Sequence, residues 1–91
     1  MKIEWTSKAL GDLARLYEFL ALLNQSAAAR LVQSLTKAPN SLVNNPRIGE
    51  KLDEFLPREV RRILAGQYEI RYEIQGDKLY ILRLWHSREQ R

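Results

Sequence analysis

Apolar and polar positions alternate over the first five residues, with Met1, Ile3 and Trp5 set against Lys2 and Glu4. A period of two belongs to a strand with one buried face, so a short strand opens the chain. From Ser7 the period changes. Leu10, Leu13, Tyr17 and Leu20 recur every three or four residues and share one face of a helix over Ser7–Leu23, with Ala14, Phe19 and Leu23 widening the core stripe. Thr6 or Ser7 supplies the N-cap, because a hydroxyl oxygen accepts from the open amides of the first turn. Gly11 is a weak point, costing about 1 kcal/mol against Ala in a helix interior. Asn24-Gln25-Ser26 is a short connection, with Ser26 placed to cap a second helix from Ala27 to about Val43. Its stripe is Ala28, Leu31, Leu35, Ala38 and Leu42. Pro39 lacks an amide hydrogen and crowds the carbonyl of Leu35, so a kink or stop is expected near Ala38. So short a connection makes the two helices antiparallel neighbours.

Asn44 to Gly49 is turn chemistry. Glu50 to Pro57 is charged and irregular, with Leu52, Phe55 and Leu56 expected to tuck against the core edge. From Arg58 onward, three β-prone runs are separated by two Gly-containing turns, the pattern of an antiparallel meander. Tyr68, Ile70, Tyr72 and Ile74 share one face of the middle run, opposite Glu69, Arg71 and Glu73. Two registers remain open for the last hairpin. With Gly76-Asp77 as a two-residue loop, Ile74 opposes Leu79 and Tyr68 opposes Trp85; the core face then carries Leu79, Ile81 and Trp85, with Arg83 at its edge. A three-residue loop turns the strand over, bringing Tyr80, Leu82 and Leu84 inward and Glu69 opposite Arg83. The Gly-Asp pair favours the first and charge pairing the second. The expected architecture is α+β, in a single domain over 1–91: a short N-terminal strand, an antiparallel two-helix hairpin, and a three-stranded antiparallel meander packed against the helices.

Composition narrows the chemistry. There is no cysteine, which excludes disulfides and thiolate metal sites. One histidine cannot make a multi-histidine metal site. The lack of cysteine makes the reducing cytoplasm the expected compartment; Lys2 and Glu4 interrupt any early apolar run, and no run approaches the ~18 apolar residues of a membrane span. The net charge of +4 is compatible with an acidic partner, nucleic acid or protein, without demanding one.

The basic residues Arg58, Arg61, Arg62, Arg71, Arg83, Arg88 and Arg91 recur along the meander and the end of the chain. A guanidinium offers a planar fork that suits carboxylate or phosphate. Glu59, Glu69 and Glu73 lie among them and can neutralise much of that charge. His86, between Trp85 and Arg88, has the residue type of a general acid or base. Catalysis needs companions: Glu50, Glu54 or Glu59 as a base, and Arg61 or Arg62 to hold a scissile phosphate. No Gly-rich phosphate loop, nucleophile elbow or paired metal-binding carboxylate motif is present, and no cofactor is expected. An apolar groove between the helices and the sheet edge can seat a partner helix or an added strand, unless those faces are satisfied internally.

Trp5-Thr6-Ser7-Lys8-Ala9-Leu10-Gly11-Asp12-Leu13, Asn45-Pro46-Arg47-Ile48-Gly49, Arg61-Arg62, Tyr68-Glu69-Ile70-Arg71-Tyr72 and Leu84-Trp85-His86-Ser87-Arg88 follow one another in order. With the sequence of elements, these pieces resemble the RelE/ParE superfamily of toxins from bacterial toxin–antitoxin modules, over nearly the whole chain. The chain is more similar to the ParE branch. That resemblance implies a non-enzymatic inhibitor of DNA gyrase that blocks replication and is neutralised by a ParD-like antitoxin in a heteromeric complex. It implies target contacts among Arg61, Arg62, Arg71, Arg83, Trp85, His86 and Arg88. It implies antitoxin contacts on the helical hairpin, at Leu13, Tyr17, Leu20, Leu31, Leu35 and Leu42, and on the meander. The alternative branch implies a ribosome-dependent messenger-RNA endonuclease, with His86 as acid or base and Arg61 or Arg62 on phosphate. Glu69 stands where several such nucleases keep an arginine. A carboxylate there repels the substrate phosphate, although Arg71 on the same face partly substitutes.

Overall fold

The computed structural model describes residues 1–88; Arg91 lies outside them. Strand β1 (Lys2–Trp5) leads into helix α1 (Ser7–Ala21), then helix α2 (Gln25–Lys37). The chain returns through a 3-10 turn over Ala38–Leu42 to strands β2 (Glu50–Lys51), β3 (Glu59–Ala65), β4 (Tyr68–Gln75) and β5 (Lys78–His86). The helix caps follow local chemistry. The Thr6 hydroxyl accepts from the Ala9 amide at 3.2 Å, and the Asn24 side chain accepts from the Ala27 amide at 2.9 Å. Asn24 thus caps α2 in place of Ser26, because its carboxamide reaches the first turn from outside the helix. The α-helix stops at Lys37, and Pro39 sits in the 3-10 turn that follows, where its missing amide is harmless.

The sheet has five strands in the order β1-β5-β4-β3-β2. This corrects the three-stranded expectation. β1 joins β5 in parallel, Ile3 beside Leu79 and Trp5 beside Ile81, and β2 adds a two-residue edge against Arg61 and Arg62. Both additions satisfy backbone groups that would otherwise be stranded at the sheet margins.

The meander turns are two-residue loops at Gly66-Gln67 and Gly76-Asp77, each with positive φ at its glycine only, as a type II′ turn requires. The last hairpin keeps the two-residue-loop register only next to its turn; the three-residue-loop register is not used, and Glu69 pairs with Trp85, not Arg83. Ile74 pairs with Leu79 and Tyr72 with Ile81; then one residue is skipped, and Arg71 pairs with Arg83, Ile70 with Leu84, and Tyr68 with His86. This bulge at Leu82 returns Leu84 to the helix side and turns Trp85 away from it.

One face of the sheet packs on the helices. Ile70, Tyr72, Ile74, Leu79, Ile81 and Leu84 meet Ala9, Leu13, Leu35 and Leu42 in the core. Each such side chain contributes roughly 1.5–3 kcal/mol by leaving water. Leu10, Phe19 and Leu23, expected within the core stripe, are exposed instead. At 100° per residue Leu10 and Phe19 fall outside the arc set by Ala9, Leu13, Leu16 and Leu20, and Leu23 lies beyond the end of α1.

Candidate functional site

Alternation along β4 sends Glu69, Arg71 and Glu73 to the sheet face that the helices do not cover. There the charges are closely paired. Buried Glu69 accepts from Arg62 at 3.1 Å and from Arg71 at 3.2 Å. Arg62 also donates to Glu50 at 2.7 Å, and its two carboxylate partners raise its pKa. Glu73 accepts from Arg58 at 2.7 and 3.2 Å and from Gln75 at 3.0 Å; the arginine bonds hold its carboxyl below the ordinary range, outweighing burial. The Arg71 guanidinium carbon lies 4.7 Å from the Trp85 ring centroid and 5.3 Å from that of Phe55. Such stacking contributes about 1–2 kcal/mol where the cation is partly desolvated. Arg71 Nε is buried and has no hydrogen-bond partner among the described residues.

Arg61 lies on the opposite, helix-side face at the outer edge of the sheet. It donates to Glu59 at 3.0 Å and to the carbonyls of Gly49 and Arg47 at 2.8 and 3.3 Å. It braces the segment before β2. Arg83 forks onto Asp12 of α1, at 2.8 and 3.0 Å. The same carboxylate accepts from Arg15 at 2.6 Å and from the Leu84 amide at 3.0 Å. Burial raises the Asp12 pKa, but these bonds prevail and its net shift is downward. Asp12 was absent from the candidates; its signal was a carboxylate set beside Leu13, inside an apolar stripe.

His86 ends β5 on the helix side. Its Nδ1 lies 3.1 Å from the Arg88 amide, which can only donate; in the neutral ring the proton therefore sits on Nε2, directed at Gln67 Oε1 at 3.1 Å. The ring meets Tyr68 edge-on, with centroids 5.2 Å apart. His86 and Trp85 consequently face opposite sides of the sheet, and Arg62 and Arg71 share the Trp85 side. Arg61 shares the His86 side, but it lies four residues along β3 from Ala65, the neighbour of Tyr68. That is about 13 Å along the strand, with two interstrand spacings still to cross. The structure therefore does not bring His86 together with Arg61 or Arg62.

The hairpin residues expected to meet an antitoxin divide by depth. Leu13, Leu35 and Leu42 are buried, while Tyr17, Leu20 and Leu31 are half-buried. Their side chains hold the hairpin together and onto the sheet. The apolar side chains that do reach solvent on the hairpin are Leu10, Phe19, Leu22 and Leu23. Among the described residues, no helix is long and apolar enough to cross a membrane.

Comparison with known proteins agrees with this architecture. A family described as the ParE toxin of the type II toxin-antitoxin system, parDE, matches residues 3–91. Toxin RelE1 of Caulobacter vibrioides is 37% identical over 86 residues, covering 92% of this chain and 90% of the relative. Toxin RelE2 of the same organism is 29% identical over 86 residues, covering 94% of each. A solved structure described as the chromosomal ParDE TA system from P. aeruginosa has the same fold, with a TM-score of 0.77 over 94% of this chain and 95% of that one, at 24% identity. The chain thus belongs to the ParE toxin family, within the RelE/ParE superfamily, and is the toxin of a toxin–antitoxin module whose partner is a cognate antitoxin.

Proposed function

We propose that this toxin acts by binding DNA gyrase and blocking replication, without catalysing a reaction of its own, and that its antitoxin is ParD-like. The supporting observation is the commitment of the arginines. Arg58, Arg61, Arg62, Arg71 and Arg83 are each hydrogen-bonded to a carboxylate of the fold, and His86 faces away from Arg62 and Arg71. A phosphate-cleaving site needs uncompensated cations and an acid or base converging on one point. An inhibitor needs a rigid, shaped surface, which the paired charges and the Arg71–Trp85 stack supply. The target contacts under this reading are the end of β5 and its neighbours: Trp85, His86 and Arg88, with Arg62, Arg71 and Arg83 behind them and Arg61 as a brace.

Purified, antitoxin-free protein is expected to inhibit gyrase supercoiling at micromolar concentration and to accumulate linear cleaved DNA. Unchanged supercoiling and cleavage would reject the proposal. A ribosome-dependent messenger-RNA nuclease is the second reading, supported by the names of the two Caulobacter relatives. It requires transcript cuts during translation that His86→Ala abolishes; equal cutting by both proteins, or none, removes His86 from that role.

A further inference from the structure

Two clefts meet beside the first turns of α1. One, of about 460 Å³, is walled by Lys8, Arg58, Arg71 and Arg83 around Phe55 and Leu82. Its neighbour shares Ser7, Lys8 and Arg83 with it and runs over Gly11 to Arg15. Five cationic side chains line the pair of clefts, and no carboxylate lines either. The larger cleft falls within the roughly 300–1,000 Å³ of small-molecule sites.

The charges here leave a definite excess. Glu73 balances Arg58, and Glu50 with Glu69 balances Arg62 with Arg71. Asp12 takes both Arg15 and Arg83, so that triad keeps one positive charge. Lys8 is exposed and has no ion pair among the described residues, which adds a second. Donors remain open as well. The carboxylates occupy Nε and Nη2 of Arg58 and Arg83, and Nη2 of Arg71. Among the described residues, Nη1 of each of these arginines has no hydrogen bond, and neither has the Ser7 hydroxyl. The arginines are held in place by those carboxylates and, for Arg58 and Arg71, by the Phe55 ring. A ligand that meets them therefore has few side chains to order.

We propose that these clefts bind a small-molecule phosphate monoester, with its dianion between Lys8 and Arg83, which both clefts share, and its ester body over Leu82 and Phe55. A phosphate monoester carries up to about two negative charges at neutral pH, the size of the excess. A lone carboxylate or a phosphate diester brings one. A nucleic-acid strand brings a further charge with every nucleotide, beyond what two excess cations balance. Neither cleft is lined by a histidine or a carboxylate, so no general acid or base stands beside the phosphate, and the ester is held without being cleaved. The inference is independent of which target the toxin has.

The test titrates phenyl phosphate into the full-length, antitoxin-free toxin at about pH 7.5 and constant ionic strength, followed by the amide NMR shifts of Ser7, Lys8 and Arg83. A dissociation constant of ~1 mM is expected, with dimethyl phosphate, a monoanion, binding at least ~5-fold more weakly. Lys8→Glu is expected to weaken binding at least ~10-fold, and to melt no lower than wild type because an acid suits the first turn of a helix. Lys37→Glu makes the same charge change on an exposed lysine at the far end of α2 and is expected to cost less than ~2-fold. Absence of saturable binding by wild type, equal affinity for the two phosphates, or equal losses in the two variants overturns the site. A 5′-phosphorylated DNA hexanucleotide that binds at least ~10-fold tighter than phenyl phosphate overturns the small-molecule occupant, because the ligand is then the end of a nucleic-acid strand.

Discussion

Gly49 and Tyr72 show how much one pair of residues decides. The Tyr72 hydroxyl donates to the Pro46 carbonyl at 2.7 Å and accepts from the Gly49 amide at 3.1 Å. Burial pushes the phenol pKa up, so it remains a neutral donor. A Cβ at Gly49 collides with that hydroxyl and stands 2.7 Å from the Arg62 carbonyl. The glycine is therefore required by close approach, since its φ is not positive. Gly49→Ala is expected to cost about 1–3 kcal/mol in urea unfolding, as overpacking does. Tyr72→Phe is expected to cost about 1–2 kcal/mol by leaving the Gly49 amide without its partner. Because removing the hydroxyl relieves the collision, the double variant is expected to lose less than the sum of the two. Strict additivity would show that the steric account is incorrect.

At the scale of elements, the bulge in β5 is the decisive feature, and α1 holds it. The Thr6 hydroxyl donates to the Ile81 carbonyl at 2.7 Å, and Asp12 takes the Leu84 amide beyond the bulge. Arg71 and Arg83, like charges placed opposite one another, are tolerable because Glu69 and Asp12 each receive one of them. Asp12→Ala leaves Arg83 and the Leu84 amide without partners and is expected to cost about 2–4 kcal/mol. Asp12→Asn keeps an acceptor for Leu84 and is expected to cost less. Amide exchange at Leu84 provides the local readout; unchanged protection in Asp12→Ala would show that the bulge stands without its clamp. The same element explains what could be read from sequence. Helical periods, the Pro39 stop and both glycine turns are local and were legible. The pairing of β1 with β5 spans most of the chain, and no local pattern records it. The pairing of the far half of the last hairpin, with Tyr68 opposite His86, matched neither register read from the sequence, because a bulge leaves no periodic signal. Glu59, Glu69 and Glu73 could be named from the sequence as neutralising the arginines, and they hold Arg61, Arg62, Arg71 and Arg58; the other two carboxylates, Asp12 on a helix and Glu50 on an edge strand, are brought in by the fold.

Over the whole molecule these pairings give the stability a definite pH dependence. Asp12, Glu59 and Glu73 all have lowered pKa values in the fold. For Asp12, burial opposes the shift but Arg83, the Leu84 amide and Arg15 outweigh it. For Glu59 the leading cause is its bond from Arg47, and for Glu73 its bond from Arg58. A carboxylate with a lower pKa folded than unfolded binds protons preferentially in the unfolded chain as pH falls. Its contribution is complete above the unfolded value of about 4 and is lost as pH drops through the folded value. The arginines shift upward, out of the accessible range, and add no slope. Urea midpoints are therefore expected to be level between about pH 5 and 8 and to fall steeply below about pH 4. Asp12→Asn should start from a lower plateau and fall less steeply, because one of the three protonation steps is gone. Equal acid slopes for the variant and wild type would mean that the buried Asp12 cluster does not govern the transition, leaving the edge pairs of Glu59 and the sheet-face pair of Glu73 as its source.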